Sequence, residues 1–516
     1  MKRSTRFILN GLLITAVSLF MRGISVSFNV YLSNTIGAVA MGVFTLISTV
    51  YGFALTVATS GIGLAATRHI AEAIGEDAVS NGSPCKSPSV RCIVRKCVAY
   101  ALFFSISSAV LLYFLAPIIG KELLGDERTI SSLKVLAISL PPIALSSVYS
   151  GYFTAVRRVY KNAVVQILGQ GIKIFSCIGL ITILKAKDVE SACLSVVVGG
   201  TAAEIGSFVV QYLFYLFERS SDKDIKLDSK SEKRALSKVL KTALPVAFSA
   251  YARSGLITIE HMLIPRGLEK SGSSKDTSLA AYGTVHSMVF PLILFPSALS
   301  GSFAGLLVPE IAESKAINDT ERITRIIHRV FYAVLTFAIG TAGIMMCFSY
   351  ELANTVYPNA NAGKYILMIA PLIPIMYLDT SVDGILKGLG EQVYCMGVNI
   401  VDALLSVILV WLLLPKMGIT GYILTVYFTE TVNAALSIAR LFTVTKVKPK
   451  LVVWVVTPLL SVIFSCTAVR MIGVRLAGNI FNVGELTFYI VLASIIYLGI
   501  IYAINIFLKS KGNRKK

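Results

Sequence analysis

The chain has 516 residues, of which 55% are hydrophobic and only 15% are charged, and its mean hydropathy is +0.74. A water-soluble protein of this length needs a larger polar surface, so the composition excludes a soluble fold and predicts that lipid covers much of the molecule. The net charge of +20 is spread over many loops, which argues against nucleic acid as a partner.

The apolar runs are long enough to cross about 30 Å of hydrocarbon as helices, and strand-like alternation is absent. The sequence therefore predicts an all-α polytopic membrane protein with about fourteen transmembrane helices. The predicted spans are 8–32, 40–64, 97–119, 134–156, 163–184, 190–216, 242–265, 280–307, 330–350, 365–386, 393–415, 418–440, 451–471 and 485–508. The first apolar segment is interpreted as a helix and not as a cleaved signal peptide, because it exceeds twenty residues and has no small-residue cleavage site.

Lysine and arginine concentrate in alternate loops, on the side that also holds both termini. Because cytoplasmic loops carry an excess of these residues, we expect both termini to lie in the cytoplasm and the chain to lie in the cytoplasmic membrane. The polar linker and the basic tail are expected to rest on anionic lipid, which makes the bilayer itself a partner.

The chain also repeats itself, since GYFTAVRRVYKNAVVQ (151–166) resembles GILKGLGEQVYCMGVN (384–399). Six spans in each half make the two repeats parallel and not inverted, with a central cavity expected between them. The predicted domains are an N-terminal six-helix bundle (1–217), a basic cytoplasmic linker (218–241), a C-terminal six-helix bundle (242–443), and two additional helices with a basic tail (444–516).

Two arginines lie inside predicted spans, Arg22 near the start of the first half and Arg253 near the start of the second. A charge at the bilayer centre costs about 2.5–3.5 kcal/mol on insertion scales, so both are expected to line a hydrated cavity that binds an anion. Two alternatives stay open. Arg253 and Glu260 lie seven residues apart on one helical face and would partly neutralise each other, and Lys173 either lines the same cavity or pairs with Glu204.

The carboxylates within spans are the candidates for ion coupling: Glu204, Glu260 and Glu430. Coupling to a proton gradient, to a sodium gradient or to the membrane potential is compatible with them. No cofactor or metal is expected, because the eight cysteines form no CxxC pair and the four histidines form no HExxH motif.

Prolines interrupt several spans, and four of them are predicted hinges. Pro141 and Pro374 precede the two repeated segments, and Pro291 and Pro296 fall within the eighth span. Each removes a backbone hydrogen bond and permits bending.

Three segments resemble a known family: ALPVAFSAYARSGLITIEHMLIPRGL (243–268), LAAYGTVHSMVFPLILFPSALSGSFAGLLVPEIAES (279–314) and SGYFTAVRRVYKNAVVQILGQGIKI (150–174). They resemble the multidrug/oligosaccharidyl-lipid/polysaccharide exporter superfamily, and most of all its polysaccharide-transporter branch with the stage V sporulation protein B group. MurJ-type lipid II flippases are related to that branch.

The resemblance implies a transporter without enzymatic activity. It would flip a polyprenyl-pyrophosphate-linked oligosaccharide or peptidoglycan precursor, an anionic lipid-linked glycan, from the inner to the outer leaflet by alternating access, in association with cell-wall synthesis enzymes. The resemblance also implies cavity positions for Arg22 and His286, while Asn29 stands where a second first-helix cation is expected. The alternatives are a cation-coupled multidrug exporter, a membrane glycosyl- or acyltransferase, and a non-transporting scaffold of cell-wall assembly or sporulation.

Overall fold

A computed structural model describes residues 3–80, 88–184, 188–218, 229–357, 359–477 and 483–513. Within these ranges the regular structure is helical, and eleven segments are long and apolar enough to cross a membrane. The prediction of an all-α polytopic membrane protein is confirmed.

Contacts between Cα atoms divide the chain into two units. Unit 1 holds residues 1–28, 38–266 and 275–280, and unit 2 holds residues 29–37, 267–274 and 281–516. The helices that supply unit 1 are most of α1 (Arg3–Thr59), α2 (Ile62–Ser80), α3 (Pro88–Ile118), α4 (Ile130–Ala155), α5 (Val159–Leu184), α6 (Val189–Glu218) and most of α7 (Ser229–Lys270). Most of α7, up to residue 266, belongs to unit 1. The predicted bundle boundaries at 217 and 242 stay a prediction.

The helices of unit 2 are shorter and more often interrupted. They are α8 (Lys275–Gly283, shared with unit 1), α9 (Phe290–Leu294), α10 (Ser297–Ala316), α11 (Thr320–Cys347), α12 (Ser349–Val356), α13 (Ala360–Ile369), α14 (Ile373–Gly388), α15 (Gln392–Thr445), α16 (Thr457–Ala477) and α17 (Val483–Asn513). The predicted eighth span is broken by a π-helical turn at Thr284–Val289 and again at Pro296, which directly precedes α10.

Two helices each contain two predicted spans. Helix α1 bends at Gly37 (φ 81°) and α15 bends at Gly418 (φ 58°). A positive φ costs a glycine little, because it has no Cβ, so a single residue makes the kink in each of these helices. The predicted seventh span lies in α7 but is not among the eleven apolar segments of the described structure.

The backbone of the repeated segments has the same geometry in each unit. Arg157 (φ 62°) ends α4 as Gly390 (φ 81°) ends α14, and the two positions are 233 residues apart. Arg158 N donates to Phe153 O at 2.8 Å, and Glu391 N donates to Leu386 O at 2.9 Å. The same offset relates Asp126 and Asn359, whose side chains each accept a hydrogen bond from the backbone N–H two residues later. The sequence similarity thus corresponds to equivalent local structure.

Candidate functional site

Unit 1 contains a polar cavity of about 780 Å³ among α1, α4, α5 and α6. Pockets of about 300–1,000 Å³ are typical of small-molecule sites. Most of its lining residues carry hydroxyl, amide or charged side chains, and the others are aliphatic or glycine. They are Val17, Leu55, Thr56, Thr59, Ile143, Ser146, Ser147, Ser150, Val159, Asn162, Ala163, Val165, Gln166, Gly169, Gln170, Lys173, Ala203, Glu204, Ser207 and Gln211.

Helix α5 supplies the most polar wall of this cavity. Asn162, Gln166, Gln170 and Lys173 follow one another at intervals of three or four residues, so they lie on one helical face. From Asn162 to Lys173 this face extends roughly 16 Å along the helix axis. It is a continuous row of hydrogen-bonding groups within an otherwise apolar segment.

Lys173 and Glu204 are the charged residues on the cavity lining. Both are partly buried, and neither forms an ion pair within 4.0 Å with any residue of the described ranges. Their predicted pairing is therefore not formed as a direct contact, although both face the same cavity. Two ionisable groups that line one cavity without a direct contact are each accessible to water or a ligand.

At one end of the cavity, hydrogen bonds tie α4, α5 and α6 together. The Asn162 amide donates to Ser150 O at 3.1 Å and to Thr154 Oγ1 at 3.2 Å, and it contacts the Gln211 amide at 3.2 Å. Gln211 is only 3% exposed. These two amides are satisfied by the protein and fix the helices at this end.

The same end carries an ion cluster. The Glu218 side chain is 7% exposed and binds Arg158 Nη1 at 2.6 Å and the Lys161 ammonium. Lys161 also lies 5.2 Å from the ring centroids of Phe153 and Phe214. The cluster anchors the loop between α4 and α5 to the end of α6.

The structure places Arg22 and Arg253 in unit 1, and both side chains are exposed. Neither forms an ion pair with the residues that the structure describes. The Arg253 guanidinium is therefore not in direct ionic contact with the Glu260 carboxylate. Neither belongs to the polar cavity's lining, although Val17 of the same helix as Arg22 does. The prediction that they bind an anion stays a prediction.

His286 and Asn29 both lie in unit 2. The His286 ring packs against Tyr282, Phe290 and Tyr422, with centroid distances of 4.7, 5.3 and 5.3 Å. Asn29 Nδ2 donates to Ser287 O at 2.8 Å. These contacts give both residues a packing role, and their predicted cavity role stays a prediction.

Glu260 in α7 and Glu430 in α15 are partly buried, and neither lies on the lining of the unit 1 cavity. Sequence analysis passed over Asp379 of α14, a partly buried carboxylate whose Oδ2 accepts from Asn433 Nδ2 at 3.4 Å. The ion-coupling roles predicted for Glu204, Glu260 and Glu430 stay predictions.

Three of the four predicted hinge prolines lie at helix interruptions. Pro374 is in the first turn of α14 after a 3₁₀ turn, Pro291 is in the first turn of α9, and Pro296 directly precedes α10. Pro141 lies inside α4, which continues through it. The positions permit bending, and the hinge role itself stays a prediction.

Sequence analysis singled out the charged residues of this site and missed the uncharged ones. The signal was present, because Asn162 directly precedes the predicted span 163–184, and Gln166, Gln170 and Lys173 follow it at helical spacing inside that span. The contributions of α1 and α4 carry no such signal, since single serines and threonines are common in membrane helices.

The family model described as "Polysaccharide biosynthesis protein" matches residues 7–282, more than half of the chain. The chain belongs to this family. It is a member of the polysaccharide-transporter branch of the multidrug/oligosaccharidyl-lipid/polysaccharide exporter superfamily. A second model of that superfamily, MatE, matches residues 271–412.

Among curated proteins, this family member is 23% identical to stage V sporulation protein B of Bacillus subtilis (strain 168) over 449 residues, covering 86% of this chain and 84% of that protein. Among solved structures, it is similar to lipid II flippase MurJ in an inward closed conformation, with a TM-score of 0.71, 11% identity, and coverage of 96% of this chain and 99% of that one. An inward-facing multidrug resistance MATE family transporter gives a TM-score of 0.62 at 14% identity, covering 84% and 100%. These structural likenesses show the fold.

Proposed function

We propose that this polysaccharide biosynthesis family member is a flippase that moves a polyprenyl-pyrophosphate-linked glycan from the inner to the outer leaflet. The single observation that carries the proposal is the polar cavity of unit 1, which places amides, hydroxyls and Lys173 inside membrane helices. Lipid-covered helices have no structural need for such a row, because unpaired polar groups in hydrocarbon cost several kcal/mol. The relatives' names, a sporulation protein and a lipid II flippase, agree with a lipid-linked cell-wall precursor as the substrate class.

Arg22 and Arg253 are the proposed ligands of the pyrophosphate. Both guanidinium groups are exposed, and neither is neutralised by a carboxylate of the described residues. Arginine presents a planar fork that holds phosphate oxygens bidentately, with a charge that does not titrate. The polyprenyl tail stays in lipid, so only the headgroup has to follow a hydrated route.

In the cell we place the protein in the cytoplasmic membrane with both termini in the cytoplasm, near the enzymes that make the lipid-linked precursor. The positive-inside asymmetry of the loops supports this orientation. The reaction is a translocation without covalent chemistry, driven by an ion gradient or the membrane potential through carboxylates such as Glu204.

Reconstitution in vesicles tests the proposal. A fluorescent polyprenyl-pyrophosphate disaccharide in the inner leaflet is expected to become accessible to an external quencher only when the protein is present. Arg22→Ala and Arg253→Ala are expected to slow translocation by at least tenfold, because a charge-assisted hydrogen bond is worth about 1.5–3 kcal/mol. Arg68→Ala is the matched control, since Arg68 is an exposed arginine already paired with Glu72.

Two results would contradict the proposal. Uptake of ethidium-like cations without movement of the glycolipid would instead indicate multidrug export, the activity named for the MATE neighbour. A double Arg22→Ala, Arg253→Ala protein with the wild-type rate would remove both arginines from the pyrophosphate site.

A further inference from the structure

Two glutamines on the α5 face have no hydrogen-bond partner among the described residues, whereas their neighbours do. Gln166 and Gln170 face the cavity from a membrane-spanning helix with free amides. Asn162 and Gln211, at the end of the same cavity, are bound by the protein. Because an unsatisfied amide costs free energy away from water, free amides at this depth indicate a hydrated site or a ligand.

The repeat supplies an internal comparison. At the offset of 233 residues, Gln170 corresponds to Ala403 and Lys173 to Ser406, and both residues of α15 are buried, with 4% and 6% exposure. Gln166 corresponds to Asn399, whose amide donates to Cys395 O of its own helix at 2.8 Å. The equivalent face of α15 therefore packs without free amides. The fold alone does not explain the free amides of Gln166 and Gln170 in α5.

The charges of the lining indicate which ligand fits. One cation, Lys173, and one carboxylate, Glu204, lie on it, so its formal charge is zero. A phosphate in addition to the pyrophosphate, or an acidic sugar, would lie near the carboxylate of Glu204 as well as near the ammonium group of Lys173. Amides and hydroxyls, by contrast, both donate and accept, which matches the hydroxyl groups of neutral sugars.

We propose that the α5 face formed by Gln166, Gln170 and Lys173 is a subsite for neutral, hydroxyl-rich sugar residues of the transported glycolipid. This rests on the proposed function and assigns sugar selection to the unit 1 cavity, whose lining includes neither of the proposed pyrophosphate ligands Arg22 and Arg253. The two free amides bind sugar hydroxyls in place of water. The subsite selects neutral glycans over those that carry a carboxylate next to Glu204.

A binding experiment tests this without translocation. The full chain in lipid nanodiscs is titrated calorimetrically with cellobiose and with cellobiouronic acid, its uronic acid counterpart. We expect the wild type to prefer cellobiose, and the double variant Gln166→Met, Gln170→Met to bind it roughly tenfold more weakly, because two hydrogen bonds of about 0.5–1.5 kcal/mol each are lost. Methionine keeps the length and helix propensity of glutamine.

The matched control is Asn399→Leu in unit 2, which removes the equivalent amide that is already satisfied. It is expected to leave the cellobiose affinity unchanged. Equal affinity of the wild type for the two disaccharides, no binding of cellobiose, or wild-type affinity of the double variant would each overturn the subsite.

Translocation in vesicles separates this inference from the proposed function. With cellobiose and cellobiouronic acid on the same polyprenyl-pyrophosphate carrier, the double variant is expected to lose the preference for the neutral glycan while still moving both. If the wild type binds cellobiose as expected but moves neither glycolipid, the flippase proposal fails and the sugar subsite stands.

Discussion

Asp126 shows how a single buried carboxylate can fix an interhelical loop. Asp126 is 2% exposed, and its side chain caps the turn by accepting a hydrogen bond from Arg128 N. The carboxylate also accepts hydrogen bonds of 2.7–3.1 Å from the Arg128 guanidinium. Lys275 Nζ lies 3.6 Å from Asp126 Oδ2. Burial alone would raise the pKa of Asp126, but the hydrogen bonds and charges of Arg128 and Lys275 hold it below its ordinary value. The ionised carboxylate thus stabilises the folded state.

The sign of this pKa shift gives a prediction. Because the folded-state pKa is lowered, the stabilisation is complete above the ordinary value of about 4 and is lost as the pH falls below it. Asp126→Asn should still cap the turn, as Asn359 does in unit 2, but should lose about 2 kcal/mol at neutral pH through the weaker bonds to Arg128. Thermal unfolding of the purified protein from pH 7 to pH 3 checks this. A variant as stable as the wild type at pH 7 would show that the charge contributes nothing.

At the scale of elements, each unit anchors the loop of its repeat to a later helix with an ion pair, and the charges are exchanged. In unit 1 the loop cation Arg158 binds Glu218 at the end of α6, and in unit 2 the loop carboxylate Glu391 binds Arg440 of α15 at 2.9 Å. Arg158 and Glu391 occupy equivalent positions at the offset of 233 residues, so the two loops are tied to later helices by ion pairs of opposite polarity.

Exchange of the unit 2 pair tests this equivalence. Glu391→Arg and Arg440→Glu should each destabilise the protein by about 1 kcal/mol or less, because the pair is partly exposed. The double variant, which has the polarity of unit 1, should recover most of that loss. A double-mutant cycle of unfolding temperatures measures the recovery. Purely additive losses would show that the two loops are not equivalent anchors.

Sequence reasoning predicted the spans well where a helix is uniformly apolar and less well where single residues redirect it. Pro296 was recognised as a helix breaker, yet the π-helical turn at Thr284–Val289 has no local sequence signal. Gly37 lies between two predicted spans and Gly418 begins another, and only the structure shows that each is the single non-helical residue at a kink within a long helix.

For the whole molecule, isolated charges in apolar segments were the strongest sequence signal. Two of them, Lys173 and Glu204, line the unit 1 cavity, and the roles predicted for them stay predictions. Which helices meet there was not predictable, because the wall combines α1 and α4–α6, and small polar residues carry little positional information. The expectation of one arginine from each half depended on a boundary near residue 242, whereas contacts group Arg253 with unit 1.

The partly buried Glu204 leads to a prediction for the complete transport cycle. If a cation enters with each cycle and binds this carboxylate, an inside-negative potential of 100 mV contributes about 2.3 kcal/mol per charge, enough to speed translocation up to roughly fiftyfold. In potassium-loaded vesicles with valinomycin, the initial rate for the wild type should rise with the imposed potential. Glu204→Gln should keep a basal rate but lose this dependence, while the exposed Glu190→Gln should retain it. Equal dependence in wild type and Glu204→Gln would assign coupling to another carboxylate, with Glu260 and Glu430 tested next.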